Sequence, residues 1–387
     1  MRRSAALAAM LAVAIAGCQT AAAGPAAGHG TPSTSARLGG HSTTSNTSGP
    51  APSTPVPALS SSRTVRIMIV GDSITEGSAG DYTWQYFLYK HLVADGIRPR
   101  MVGPNHFLFD NVTGKEGSTA YADPRFGHAN DAHWGKAYLQ EKDVIGAKVA
   151  KYQPDYVLVL LGVDDLFWFG VTQQRMAANV RSFIAKARAA RPHVGIVLGL
   201  VPPDIHTQTS PTFAASVAAF NSTIVSTASH LSTTRSPIAV AHDELGIDVT
   251  KDYWDGTHPN TSGQILIAAA FSNALAGKLH VGRPFPKPYP VLPNGPLTPP
   301  HLTATPSSKS GQIDLSWTPP PGANGFIIYL RDVTKIETKF KRLPFPVPRS
   351  PFDAGLLTPG DVYAFKVQAC KGIDCHAFSN VATAIAP

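Results

Sequence analysis

Val65-Arg66-Ile67-Met68-Ile69-Val70 and Tyr156-Val157-Leu158-Val159-Leu160-Leu161 are apolar at almost every position. Runs of this kind suit strands buried on both faces, and so a sheet with helices on each side. Strand and helix patterns alternate around them. The periodicity predicts helices over 83–94, 144–152, 173–190, 213–230 and 265–279, and extended segments over 98–103, 194–201 and 237–241. That alternation argues for a parallel sheet in a three-layer α/β/α arrangement. Residues 104–136 carry no such pattern, and an irregular insertion of that length is usually functional, so they are expected to form an active-site loop.

The first apolar run leads straight into Gly71-Asp72-Ser73-Ile74-Thr75. A serine at the end of a parallel strand faces the crevice where such sheets bind ligands. Gly71 is expected to supply the positive φ of a sharp turn, leaving the hydroxyl of Ser73 projecting and its N–H free for a developing oxyanion. Far along the chain stands a single Asp-x-x-His, Asp255-Gly256-Thr257-His258, followed by Pro259, which disfavours helix at His258. A short turn there can bring the carboxylate to one imidazole nitrogen while the other faces the serine. Taken singly, each motif also reads as an ordinary turn or a solvated loop.

Together these blocks resemble the SGNH hydrolases, or GDSL esterases, over about residues 64 to 280. The resemblance implies a flavodoxin-like fold and cleavage of acyl esters with no cofactor or metal. It also implies Ser73 as nucleophile, His258 as base and Asp255 as the base's orienting partner. Family members draw further oxyanion donors from a glycine N–H and from the asparagine of a Gly-x-Asn-Asp block. The matching stretch here is Gly162-Val163-Asp164-Asp165, so Asp164 stands in the place of the asparagine. An ionised carboxylate accepts hydrogen bonds and repels an oxyanion. Either Asp164 is protonated, with Leu166-Phe167-Trp168-Phe169 as apolar walls raising its pKa, or backbone donors carry the hole, or activity is weak. For the glycine, Gly135 in His133-Trp134-Gly135-Lys136 is the choice, ahead of a helix expected over 139–152, with Gly117 and Gly103 as alternatives. His128, Asp131 and His133 match no standard zinc spacing.

Met1-Arg2-Arg3, an apolar stretch from Ala5 to Ala16 and Gly17-Cys18 describe a secretory signal too short to span a membrane stably. Ile15-Ala16-Gly17-Cys18 resembles a bacterial lipobox, which implies a lipidated Cys18 and an extracytoplasmic, membrane-anchored protein. The alternative is ordinary cleavage near Ala21 to Ala23 and free secretion. Residues 19–63 are rich in Ala, Gly, Pro, Ser and Thr, a composition expected to form a flexible tether. The formal charge of +8 becomes +6 without Arg2 and Arg3 and is dispersed. It forms no basic run with interleaved aromatics, so nucleic acid is not an expected partner.

Residues 281–297 are proline-rich and read as a semi-rigid spacer. Beyond them the period changes to two, as in sandwich strands: Ile313-Asp314-Leu315-Ser316-Trp317, the run 326–330, and Tyr363-Ala364-Phe365-Lys366-Val367. Leu357-x-Pro359-Gly360-x-x-Tyr363 and Trp317 resemble the tyrosine corner and strand B tryptophan of fibronectin type III domains, over about residues 298 to 387. In an exported chain with Cys18 lipidated, Cys370 and Cys375 are expected to pair. The sequence points to an acyl-ester hydrolase acting on an extracellular polymer such as an O-acetylated polysaccharide. A non-catalytic carbohydrate-binding or adhesion protein on the same scaffold, or an acyltransferase, remains open.

Overall fold

The computed structural model describes residues 64–387. The expected signal sequence, lipidated Cys18 and tether lie outside the described residues. In chain order the first domain contains β1 (Thr64–Gly71), α1 (Ser73–Glu76), α2 (Trp84–Ala94), β2 (Arg98–Met101), β3 (Leu108–Asp110), β4 (Lys115–Ser118), β5 (Asp131–Ala132), α3 (Tyr138–Glu141) and α4 (Ile145–Tyr152). It continues with β6 (Tyr156–Leu160), α5 (Val163–Phe167), α6 (Gln173–Ala190), β7 (Gly195–Gly199), α7 (Ile205–Thr209), α8 (Pro211–Leu231), β8 (Ile238–Ala241) and α9 (Thr261–Leu279).

Five strands form a parallel sheet in the order β2-β1-β6-β7-β8, and β5 pairs beside the end of β1. Counting only these five, the order is 2-1-3-4-5, the doubly wound arrangement in which the connections reverse direction between β1 and β6. β1 and β6 are buried along nearly their whole length because helices cover both faces. The helices begin where their caps dictate. Thr83 accepts from Tyr86 N–H ahead of α2, and Asn260 accepts from the N–H groups of Ser262 and Gly263 ahead of α9. Trp84 of α2 stacks on Phe271 of α9 with ring centroids 4.4 Å apart, joining these two helices through their buried faces.

Two sequence expectations change. The helix expected over 139–152 is two helices, α3 and α4, interrupted at Lys142, Asp143 and Val144. Residues 104–136 are less irregular than their composition suggests, since they hold the β3–β4 hairpin and β5.

The C-terminal region is all β: β9 (Leu302–Pro306), β10 (Ile313–Trp317), β11 (Gly325–Asp332), β12 (Lys341–Arg342), β13 (Phe352–Ala354), β14 (Val362–Lys371), β15 (Asp374–Phe378) and β16 (Ala382–Ile385). One antiparallel sheet has the order β13-β10-β9; the other runs β12-β11-β14, with β15 and β16 both pairing with β14. Ile313, Leu315 and Trp317 from the first sheet meet Phe326, Ile328, Phe365 and Val367 from the second in one core. The Tyr363 hydroxyl accepts from Thr358 N–H at 3.1 Å. Cys370 and Cys375 are joined by a disulfide that closes the β14–β15 turn. The proline-rich stretch does not stand off from the first domain. Arg283 bonds Asp95, Phe285 N–H donates to Asn273, and Phe285 and Tyr289 pack on the α/β core.

Candidate active site

Ser73 opens α1 directly beyond the end of β1, beside the point where the sheet order reverses. Asp72 caps the helix, its Oδ1 accepting from Ile74 N–H at 3.0 Å. The N–H of Ser73, at the first helical position, has no acceptor within the helix. Gly71 is needed for a reason other than the expected one. Its backbone is not left-handed, but a Cβ there would lie 2.1 Å from Thr75 Oγ1.

His258 arrives on the loop before α9. Gly256 turns this loop at φ +89°, and Asp255 Oδ1 accepts from the N–H groups of Thr257 (3.0 Å) and His258 (2.7 Å). The other oxygen, Oδ2, lies 2.7 Å from His258 Nδ1, and His258 Nε2 lies 3.1 Å from Ser73 Oγ. Since a carboxylate only accepts, the imidazole proton sits on Nδ1 and Nε2 faces the serine hydroxyl as acceptor. Burial pushes the Asp255 carboxyl up, but the His258 imidazole and the hydrogen bonds from His258 and Thr257 outweigh it and hold it below the ordinary range. Ser73 is 8% exposed, and the side chains of His258 and Asp255 are 17% and 28% exposed. Such a set can take a proton from a hydroxyl, hold the resulting imidazolium and return the proton to a leaving group.

Two tryptophans that carry no motif of their own lie beside this set. The Trp134 ring lies 4.3 Å from that of His258 at an interplanar angle of 25°, and the Trp254 ring 5.5 Å away at 22°. Phe109 in turn stacks on Trp134, so residues 104–136 do line the site. Trp134 is anchored through its backbone N–H to the Glu76 carboxyl at the end of α1. Burial and the adjacent Glu116 push the Glu76 carboxyl up to about 9. The only available signal was position: Trp254 directly precedes Asp255, and Trp134 directly precedes Gly135.

Asp164 lies in the first turn of α5, after β6, and is 5% exposed. Its Oδ2 is buried with no hydrogen-bond partner. Burial pushes its carboxyl up to about 7, against the lowering influence of His258 and with a further push from Asp165. Of the expected apolar walls, Leu166 packs on the core, while Phe167, Trp168 and Phe169 are 40%, 54% and 44% exposed. Burial, then the neighbouring Asp164, likewise hold Asp72 well above the usual carboxylate range. Asp165 serves the fold, accepting from the N–H groups of Tyr138 and Leu139 at the start of α3. Gly135 sits at φ +76° in the turn after β5, between Trp134 and the half-buried Lys136. Gly117 lies in the β3–β4 hairpin, and Gly103 is fixed by close approach to the Asn130 backbone.

His128, Asp131 and His133 do not gather. Asp131 is paired with Lys136 and Lys148, and His128 packs on Tyr89 and Phe126. Among the described residues, Glu76, Glu116 and His133 are the three whose donor atoms approach within 4.8 Å of one another.

Residues 69–265 match the model of the GDSL-like lipase/acylhydrolase family, just over half of the chain. The chain belongs to that family. It is a serine esterase of the SGNH type, hydrolysing carboxylic esters on a parallel five-stranded α/β core. Among solved structures it is similar to a carbohydrate esterase family 3 protein from Talaromyces cellulolyticus, at 22% identity over 54% of this chain and 94% of that one (TM-score 0.45). It is also similar to a family 3 carbohydrate esterase from Clostridium thermocellum, at 21% over 55% and 96% (0.44). A variant of an acetyl xylan esterase from Geobacillus stearothermophilus matches at 17% over 55% and 94% (0.39). No curated protein matches the chain in sequence.

Proposed function

We propose that the protein is an extracytoplasmic esterase that removes small acyl groups, such as O-acetyl esters, from a polysaccharide. The observation that carries the mechanism is the chain of contacts from Ser73 Oγ through His258 to Asp255, 3.1 and 2.7 Å long. Ser73 attacks the ester carbonyl as His258 Nε2 takes its proton. The imidazolium, steadied by Asp255, then protonates the leaving alcohol. Water, deprotonated by the same imidazole, attacks the acyl-enzyme and frees the acid. The N–H groups of Ser73 and Gly135 hold the oxyanion, with the neutral carboxyl of Asp164 as a third donor.

Two features support the substrate class. Ser73 is only 8% exposed, and we read that burial as favouring a short acyl group. Phe167, Trp168 and Phe169, just after Asp164 and Asp165, expose aromatic surface of the kind that marks a binding face. We further propose that the β region is a fibronectin type III-like module, supported by its two-sheet strand order and the Thr358–Tyr363 bond. Lipidation at Cys18 would anchor the protein at the cell envelope.

The test compares wild type and Ser73→Ala on p-nitrophenyl esters of increasing chain length and on acetylated and deacetylated xylan. Acetate release from the acetylated polymer and loss of activity beyond the shortest chains are expected, with both abolished in Ser73→Ala at unchanged circular dichroism. Faster turnover of long chains, or no acetate release, would refute the substrate assignment.

A further inference from the structure

We infer that the Lys371–Gly372 turn of the C-terminal β module positions the active site, tying the segment after Ser73 to the segment before His258. The inference rests on His258 being the base that activates Ser73. Lys371 ends β14, and its side chain is only 5% exposed. Its Nζ donates to the Ala79 carbonyl at 3.0 Å and to Asp81 Oδ1 at 2.5 Å, and lies 5.1 Å from the centre of the Trp254 ring. Ala79 and Asp81 belong to the stretch leaving α1, the helix that Ser73 opens. Trp254 carries the ring beside His258, and its backbone N–H donates to the His258 carbonyl at 3.1 Å. One lysine from the module therefore touches both halves of the site.

The backbone repeats the link. Ile373 N–H donates to the Trp254 carbonyl at 2.9 Å, and Asn260, which caps α9 two residues beyond His258, donates to Asp374 Oδ2 at 2.9 Å. The surfaces meet too closely for a side chain. A Cβ on Gly372 would lie 1.7 Å from the Trp254 carbonyl oxygen, and one on Gly322 would lie 1.9 Å from that of Ala79. The Cys370–Cys375 disulfide closes the same turn. A buried lysine needs compensating partners, and here its carboxylate and carbonyl partners come from the catalytic domain. A module serving only as a spacer has no reason to place its lysine there.

Misplacing a catalytic group by about 1 Å can cost on the order of a hundredfold in rate. The full chain is compared as wild type, Lys371→Met, Lys371→Arg, Gly372→Ala, Ser73→Ala and, as a module control, the exposed Lys309→Ala, with kcat and KM for p-nitrophenyl acetate and the melting temperature of each. Lys371→Met should lose roughly ten- to a hundredfold in kcat with KM within about twofold, while Lys371→Arg recovers most of the loss and Lys309→Ala is unaffected. Should Lys371→Met fail to fold, Gly372→Ala carries the test with the same expected split between kcat and KM. Wild-type kcat in both Lys371→Met and Gly372→Ala, with Ser73→Ala inactive, overturns the inference and leaves the mechanism standing. A loss that matches the unfolded fraction and is not recovered by Lys371→Arg also overturns it. Full activity in Ser73→Ala would overturn the underlying mechanism as well.

Discussion

Asp164 is a carboxylate where the family carries an amide, and its surroundings decide how far that substitution matters. At 5% exposure, with one oxygen unpartnered and its carboxyl raised to about 7, it would, in the proposed oxyanion hole, donate in acid and repel in base. The sign follows from the shift. Below about pH 7 the neutral acid predominates and can bond an oxyanion; above it, donation is lost. Activity should therefore fall as pH rises through about 7. Asp164→Asn should remove the alkaline limb and raise turnover several-fold to a hundredfold above pH 8, which a pH–rate series of both proteins checks. If the asparagine variant is slower at every pH, Asp164 has a different role. His258→Ala should be nearly as damaging as Ser73→Ala on the same substrate, because a serine without its base is a poor nucleophile.

At the scale of elements, the turn from β1 into α1 depends on contact more than on backbone freedom. Gly71→Ala should push into Thr75 and cost about 1–3 kcal/mol, lowering the denaturant midpoint without changing its slope. The loop after β8 has a different dependence. Asp243 accepts from Leu200 N–H at 2.7 Å, its other oxygen is unpartnered, and burial holds its carboxyl well above the usual range. Because the folded-state pKa is raised, the associated stability is complete below the ordinary carboxylate pKa and is lost as pH rises toward the folded value. Asp243→Asn keeps the acceptor and removes the charge, so it should raise the melting temperature more at pH 9 than at pH 5. An equal effect at both would refute the buried-charge account.

These elements also show where sequence is informative. β1, β6, α2, α6 and α9 could be read because burial on both faces, or along one helical stripe, writes a period into twenty residues or fewer. The short α1, α5 and α7 and the β3–β4 hairpin could not, because a single turn has no period and is held by contacts remote in sequence. Ser73, Asp255 and His258 were legible as motifs. Trp134 and Trp254 were not, since their place beside His258 depends on where two distant loops meet.

Across the whole molecule, the same limit hid the relation between the two β-rich and α/β parts. Composition alone made residues 281–297 a spacer and residues 298–387 a separate module, yet Lys371, Gly372 and Asp374 reach residues flanking Ser73 and His258. Replacing both Cys370 and Cys375 by serine should loosen that turn and lower kcat for p-nitrophenyl acetate several-fold, more than it lowers the melting temperature of the α/β core. Wild-type kcat in the double variant would show that the turn holds without its crosslink.

In the proposed mechanism Ser73 is a nucleophile activated by His258. The most direct measurement is intact-mass analysis with peptide mapping after reaction with a fluorophosphonate, which labels only an activated serine. One adduct on Ser73 is predicted, absent in Ser73→Ala and at least a hundredfold slower to form in His258→Ala. No adduct in the wild type, or an adduct on another serine, would contradict it.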